Sequence, residues 1–252
     1  MVQICFIELS TYMSKIKLSL TIPNKLSDIT LEQYQKYAKI LEGIDKDGED
    51  AAEFVNLKAL EIFCDLELKQ SYNMPMHLFD EVLQDIATCL NESTPLIKRF
   101  WFRGSNGVEV EFGMEPDLHN IAWGPYMDIE KYLFDTANMH KAMAALFRPI
   151  IKKKDDLYEI EPYEGSRKYA DYMRYMPVNV ALGAAVFFYR LGMKLSTLTL
   201  KSSLKEMSKQ QQLQAEKKFL DENGVGISQF MQSLEEMSQS LTKLPTYHST
   251  NV

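Results

Sequence analysis

Histidines, cysteines and clustered carboxylates are the residues of this chain that can move protons, hold metals or attack an electrophile. The four histidines, His77, His119, His140 and His248, stand far apart. None belongs to a His-x-x-x-His pair or a close His/carboxylate cluster, so their spacing supports neither a zinc site nor a positioned general base. His140 falls in an apolar stretch and reads as a packed or capping side chain. The three cysteines, Cys5, Cys64 and Cys89, are odd in number and widely separated, and two of them lie on apolar helical faces. That pattern speaks against disulfides and for a reducing compartment, and no Cys-x-x-Cys is present to bind zinc. Asp155 and Asp156 with Glu159 and Glu161 have the composition of a hydrolytic carboxylate group. They sit in a lysine-flanked turn leading into a strand, where solvated surface is the simpler reading. Gly224-Val225-Gly226 lacks the third glycine and the preceding strand of a dinucleotide loop, and a helix stop explains it. There is no phosphate-binding Gly-rich loop ending in Lys-Ser/Thr and no Gly-x-Ser-x-Gly elbow. No catalytic residue, cofactor or metal is expected, and the chain reads as non-enzymatic.

Two further stretches can be read in two ways. Arg99-Phe100-Trp101-Phe102-Arg103 interleaves bases with aromatics, as strands that stack single-stranded nucleic acid do. Strand alternation puts Arg99, Trp101 and Arg103 on one face and Phe100 and Phe102 on the other, which a hairpin packed on a helix also requires. Arg148 sits between an apolar helix and Pro149, where a long cation reaches helix-terminal carbonyls. Glu159, Glu161 or Glu164 is placed to pair with it, giving a buried or half-buried ion pair that fixes a corner.

The elements that hold these residues follow from periodicity. Lys15–Ile22 alternates as a half-buried strand. Leu31–Leu41 is a helix, capped by Asp28 or Thr30. A longer helix capped by Asp50 carries Phe54, Leu57, Leu60, Ile62 and Phe63 as apolar positions, and a third, begun at Met74-Pro75, runs to about Leu90. Ile97–Arg103 and Val108–Phe112 form a hairpin joined by Gly104-Ser105-Asn106-Gly107. Trp123-Gly124-Pro125 falls in an irregular stretch before a short helix over Met127–Phe134. The central region, Asn138–Leu191, reads as a helix Asn138–Phe147, a stop at Arg148-Pro149, short strands at Ile150-Ile151 and Leu157–Ile160 around a turn Lys152–Asp156, and a helix Val178–Leu191 buried nearly all round. A glutamine-rich helix over Thr197–Phe219 and an amphipathic helix over Ile227–Leu241 follow.

Composition narrows the function classes. Of 252 residues, 46% are hydrophobic and 25% charged, as in an ordinary folded globular protein. The formal net charge of −7 disfavours nucleic-acid binding by general basicity. Between Asp28 and Glu67, 11 acids face 4 bases, so that segment alone carries −7. Such a face suits a basic protein partner, or serves only to keep the surface solvated. The short apolar N-terminus makes a poor signal peptide, and Val178–Leu191 is shorter than the ~20 residues of a membrane span. No membrane segment is expected.

Three segments together resemble a known group. They are Ala144–Ile150 (Ala-Ala-Leu-Phe-Arg-Pro-Ile), Tyr158–Gly165 (Tyr-Glu-Ile-Glu-Pro-Tyr-Glu-Gly) and Pro177–Phe188. With the opening Ile22–Tyr34 and the break at Asn223–Gly226 before Ile227–Met231, they are similar to uncharacterised proteins of tailed bacteriophages grouped as tail assembly chaperones or tail-module proteins. The resemblance covers 22–241 in patches and carries no defined binding motif. It implies a protein that holds another phage protein without chemistry. The 14 methionines fit an adaptable apolar surface, or a core filled by them.

The expectation is therefore a mainly α (α+β) protein: an N-terminal lead over 1–14, a helical globular domain over 15–200 with a small β-hairpin and short strands, an amphipathic helical C-terminal arm over 201–243, and a tail over 244–252. The expected function is to bind a tail component such as the tape measure and keep it soluble during virion assembly, in the host cytoplasm. The alternative is a structural protein of the phage tail, baseplate or capsid, found in the virion. Partners are other phage proteins, with homo-oligomerisation left open and neither membrane nor nucleic acid expected. Phe230, Met231, Leu234 and Met237, the apolar stripe of the arm, are the expected partner-binding residues.

Overall fold

A computed structural model describes residues 3–11, 14–44, 51–103 and 109–204. The chain is a mainly helical α+β protein with a small antiparallel four-stranded sheet. The described residues form two compact units divided between Ser93 and Thr94, where one domain over 15–200 is expected from sequence.

In the first unit, β1 (Gln3–Thr11) pairs antiparallel with β2 (Ser14–Ile22), from Gln3 opposite Ile22 to Thr11 opposite Ser14. The expected N-terminal lead over 1–14 thus contributes a strand. Its residues supply the partner that the alternating β2 needs, since a lone strand leaves its backbone donors unpaired. Four helices follow: α1 (Leu31–Gly43), α2 (Ala51–Cys64), α3 (Leu68–Tyr72) and α4 (Met76–Leu90). Of the two candidate caps for α1, Thr30 does the work. Its hydroxyl accepts from the Gln33 N–H (3.2 Å) and the Gln33 side chain accepts from the Thr30 N–H (2.9 Å), a reciprocal capping box. Tyr34, Tyr37, Leu60, Leu83 and Ile86 form the core of this unit. Phe54 and Ile62 depart from expectation: Phe54 is 47% exposed and Ile62 only half-buried, because α2 turns its other side inward with Val55, Leu57, Ala59, Leu60 and Phe63. The short α3 lies in a stretch that sequence periodicity leaves unassigned.

In the second unit, β3 (Arg99–Arg103) and β4 (Glu109–Met114) form the expected hairpin, with Phe100 opposite Phe112 and Trp101 opposite Glu111. The expected turn over Gly104–Gly107 lies outside the described residues. Helix α5 (Trp123–Tyr132) begins earlier than expected. Trp123-Gly124-Pro125 is its first turn, and Pro125 is tolerated there because the first N–H groups of a helix have no intrahelical acceptor. Helix α6 (Met139–Leu146) passes straight into β5 (Phe147–Lys154), which pairs with β4 and with β6 (Leu157–Ile160) to complete the order β3-β4-β5-β6. Phe147, expected as helix, is the first strand residue. Lys152, Lys153 and Lys154, expected in the turn, are strand, and only Asp155-Asp156 turns the chain, with Asp155 at φ 54°. Asp is among the few side chains that adopt that left-handed conformation at modest cost. After the short α7 (Ala170–Met173), α8 runs unbroken from Val178 to Leu204. It passes the helix end expected at Leu191 and the domain edge expected at 200/201, since no proline interrupts it.

The hub of this unit is α6, which packs against α5, α7 and β5. All of its residues except Lys141 are buried, so it is enclosed on all sides rather than on the one face that periodicity suggests. Apart from half-buried Asn179, helix α8 is buried from Val178 through Ala185, then half-buried over 186–189, with Arg190 exposed. A Cβ on Gly183 would lie 2.4 Å from the backbone oxygen of Pro95, so only glycine admits this close approach.

Candidate functional site

The sharpest polar cluster surrounds Arg148, at the point where α6 becomes β5. Arg148 is 6% exposed. Its Nη1 donates to the Ala145 carbonyl (2.6 Å), its Nε to the Glu161 carbonyl (2.7 Å) and its Nη2 to the Glu115 carboxylate (2.5 Å). Its guanidinium lies 5.7 Å from the centre of the Tyr163 ring. Ala145 is in the last turn of α6, so the cation reaches a helix-terminal carbonyl as expected. The carboxylate partner differs from expectation. Glu115 follows β4 in the sheet, while Glu161 contributes only its backbone oxygen. Sequence distance conceals this, because Glu115 is brought in by the β4–β5 pairing of Gly113 with Arg148.

Two tyrosine–carboxylate pairs lie in the same unit. The Tyr163 hydroxyl donates to Asp128 and the Tyr169 hydroxyl to Glu161. Burial pulls the Asp128 carboxyl up, but hydrogen bonds from Ser166 and Tyr163 outweigh it and hold the group below the ordinary carboxylate range. Burial and Asp128 together push Tyr163 up to about 12, and burial with Glu161 does the same to Tyr169. Each proton therefore stays on its phenol near neutral pH, whereas a general acid or base works best with a pKa close to the operating pH. These pairs orient the Tyr163–Tyr169 loop.

His140, Cys64 and Cys89 are also held far from neutrality. His140 is buried and its pKa falls to about 4, chiefly through burial and then through Arg174 and Lys141. Burial pushes the Cys64 thiol up to about 12 and the Cys89 thiol to about 11, which keeps both as thiols rather than reactive thiolates. The Cys89 Sγ lies 3.1 Å from the Pro23 carbonyl, which it faces as a donor. Among the described residues, no group of three or more His, Cys, Asp or Glu side chains is placed to hold a metal ion. Asp155, Asp156 and Glu159 are exposed, and Lys152 pairs with Glu159 at 2.8 Å.

The aromatic strand divides as alternation requires. Phe100 faces inward, stacked on Phe112 (5.7 Å between centroids) and edge-on to Phe147 (5.5 Å). Trp101 points outward and is 61% exposed. Its outer face is balanced in charge: Arg103 pairs with Glu109 (3.4 Å), Lys153 with Glu111 (3.0 Å), and Arg99 lies over the Tyr158 ring (5.9 Å).

Among the described residues of the second unit, Trp123 at the start of helix α5 is the most exposed large hydrophobic side chain but one, after Leu157. Trp123, Tyr126 and Met127 follow one another at helical spacing on one side. They are 74%, 44% and 38% exposed, and the Trp123 and Tyr126 ring centres are 6.2 Å apart. The opposite side places Pro125 and Ile129 in the core, with Leu133 just beyond the helix. Tyr163 lies against Gly124, where a Cβ would come within 3.1 Å of its ring, and binds Asp128 one turn further along. The helix is thus held from its inner side while its outer side is bare. The spacing 123, 126, 127 against 125, 129, 133 is legible in the sequence, but a Trp-Gly-Pro start conceals it. Phe230, Met231, Leu234 and Met237, the partner-binding residues expected from sequence, lie outside the described residues, as does the arm beyond Leu204.

Comparison of the chain with protein-family models, with curated proteins and with solved structures returns no match. No helix among the described residues is long and apolar enough to cross a membrane.

Proposed function

We propose that this chain acts by binding another protein, without chemistry of its own, and that it is a bacteriophage tail assembly chaperone-like protein. In this reading it binds a tail component such as the tape measure and keeps it soluble in the host cytoplasm while the virion is built. The observation that carries the binding reading is the bare outer side of α5. Scattered exposed apolar residues are ordinary, but Trp123, Tyr126 and Met127 form one patch on a helix fixed from behind. Aromatic side chains of this kind are the usual anchors of protein interfaces. The phage assignment rests on the resemblance of Ala144–Ile150, Tyr158–Gly165 and Pro177–Phe188 to tail-module proteins.

The test is co-expression of the chain with a tape-measure protein or another tail protein. The client's soluble yield should rise, the two should co-purify, and Trp123→Ser with Tyr126→Ser should abolish the effect. Unchanged client solubility together with no co-purification refutes the proposal. The second reading, a structural protein of tail, baseplate or capsid, is distinguished by mass spectrometry of purified particles. A chaperone is absent from them, and a structural protein is present in stoichiometric amount.

A further inference from the structure

We propose a second interaction surface, in the first unit: the acidic-rimmed groove between α2 and α3 is a docking site for a basic amphipathic helix of another protein. The groove has a volume of about 630 Å³, within the range of formed binding sites. Its floor is Leu57 and Leu66, 7% and 2% exposed. Its walls are Phe54, Leu68 and Tyr72, which are 47%, 51% and 64% exposed. Three large apolar side chains left half-bare around one concavity are an interface signature, unlike single exposed residues.

The backbone builds this concavity. Asp65 takes a left-handed conformation, φ 55°, straight after α2 ends at Cys64. The Leu66 N–H then bonds back to the Leu60 carbonyl (3.5 Å), which buries Leu66 and sends α3 off beside the outer side of α2. Tyr72 is tied back to α2 through its hydroxyl, which donates to Glu53 (3.3 Å).

Charge selects the occupant. The lining holds Glu61, Asp65 and Glu67 against Lys58 alone, and Lys58 is spent on Glu61 at 2.5 Å. The lining therefore carries a net negative charge, and the groove belongs to the sequence segment Asp28–Glu67 with its net −7. Nucleic acid and anionic lipid are repelled. A helix with apolar residues at i, i+3 and i+4 and lysine or arginine flanking them matches floor, walls and rim together.

This inference rests on the reading of the chain as a protein-binding module, but it is tested separately from the phage client. The probe is a fluorescein-labelled synthetic helix of leucines and lysines patterned at helical period, titrated by anisotropy into the full chain. The control is the same peptide with glutamate for each lysine. The lysine peptide should bind at least about tenfold tighter than the glutamate peptide, and more weakly as salt rises. Phe54→Ser with Leu68→Ser should weaken it at least about tenfold, as expected for anchor residues. Glu61→Lys should weaken it and flatten the salt dependence, while Trp123→Ser should leave it unchanged. Hydrogen exchange on the complex should show new protection over 54–72. The proposal is overturned if the two peptides bind alike or neither binds, if the Phe54/Leu68 variant binds as the parent does, or if protection appears only in the second unit. Any of these leaves the co-expression test of α5 standing, since that experiment reads a different surface.

Discussion

The Arg148 corner and the outer side of α5 belong to the same compact unit and differ in how their side chains are used. At the corner, the guanidinium donates to two carbonyls and a carboxylate, and the three acceptors come from the last turn of α6, the residue after β4 and the residue after β6. On α5, Trp123 and Tyr126 touch each other and face outward. The corner is closed: Arg148 is 6% exposed and spends its Nε, Nη1 and Nη2 on protein acceptors. The α5 face is open: its apolar area contributes little to folding and remains available for a partner. The difference teaches that a chemically sharp residue such as Arg148 can be wholly structural, while three plain apolar residues form the better candidate site.

Four outcomes would sharpen that contrast or break it. The largest effect is expected from Arg148→Ala, which strands the Glu115 carboxylate and two carbonyls. Removing one partner of a buried pair costs about 3–5 kcal/mol, to be read from urea unfolding of the full chain. Arg148→Met with Glu115→Leu should recover part of that loss, because an apolar pair leaves no orphaned charge while the Ala145 and Glu161 carbonyls still lose their donor. A single-variant cost below ~1 kcal/mol would mean that the corner does not organise the unit.

Gly183→Ala comes next. Helix propensity favours alanine by up to about 1 kcal/mol. The new Cβ, however, meets the Pro95 carbonyl at 2.4 Å, and a backbone atom cannot swing aside. Overpacking of this kind costs ~1–3 kcal/mol and should win, lowering the urea midpoint.

His140 links stability to pH. Its folded pKa, about 4, lies below its ordinary value of 6.5, so the unfolded chain binds the proton more readily. The contribution is fully present above the ordinary value and is lost as pH falls toward 4, by an amount on the order of 3 kcal/mol. His140→Gln should remove that part of the slope between those two values, whatever its cost at neutral pH.

The smallest stability effect is expected on the open face. Trp123→Ser with Tyr126→Ser should stay within about 0.5 kcal/mol of the parent, as exposed substitutions do, while co-purification of the client is lost. A cost above ~2 kcal/mol would show that α5 is held by its outer side too, and the contrast with the corner would fail.

Much of the local structure is legible in the sequence. The alternation in Lys15–Ile22, a cap for α1 at Asp28 or Thr30, the Arg99–Arg103 strand and the role of Arg148 as a corner all follow from spacing and residue type, because each depends on near neighbours in the chain. The N-terminal strand, the early start of α5 and the unbroken α8 are not legible in this way. In the first two a local signal, a short apolar lead or a Trp-Gly-Pro, is overruled by pairing or packing with residues elsewhere, and in α8 a polar change in texture does not stop a helix that no proline interrupts.

The candidate sites divide along the same line. Sequence alone determined that the segment Asp28–Glu67 is acidic, that the chain holds 14 methionines and that the histidines and cysteines are scattered, since charge and composition need no coordinates. Only the tertiary structure decided that Glu115 is the acid beside Arg148, that Trp123, Tyr126 and Met127 share a bare face, and that Phe54, Leu68 and Tyr72 wall one groove. The physical reason is that exposure and ion pairing are set by what packs against a residue. Sheet register brings Glu115 to Arg148 across 33 residues, and one left-handed aspartate turns α3 back beside α2.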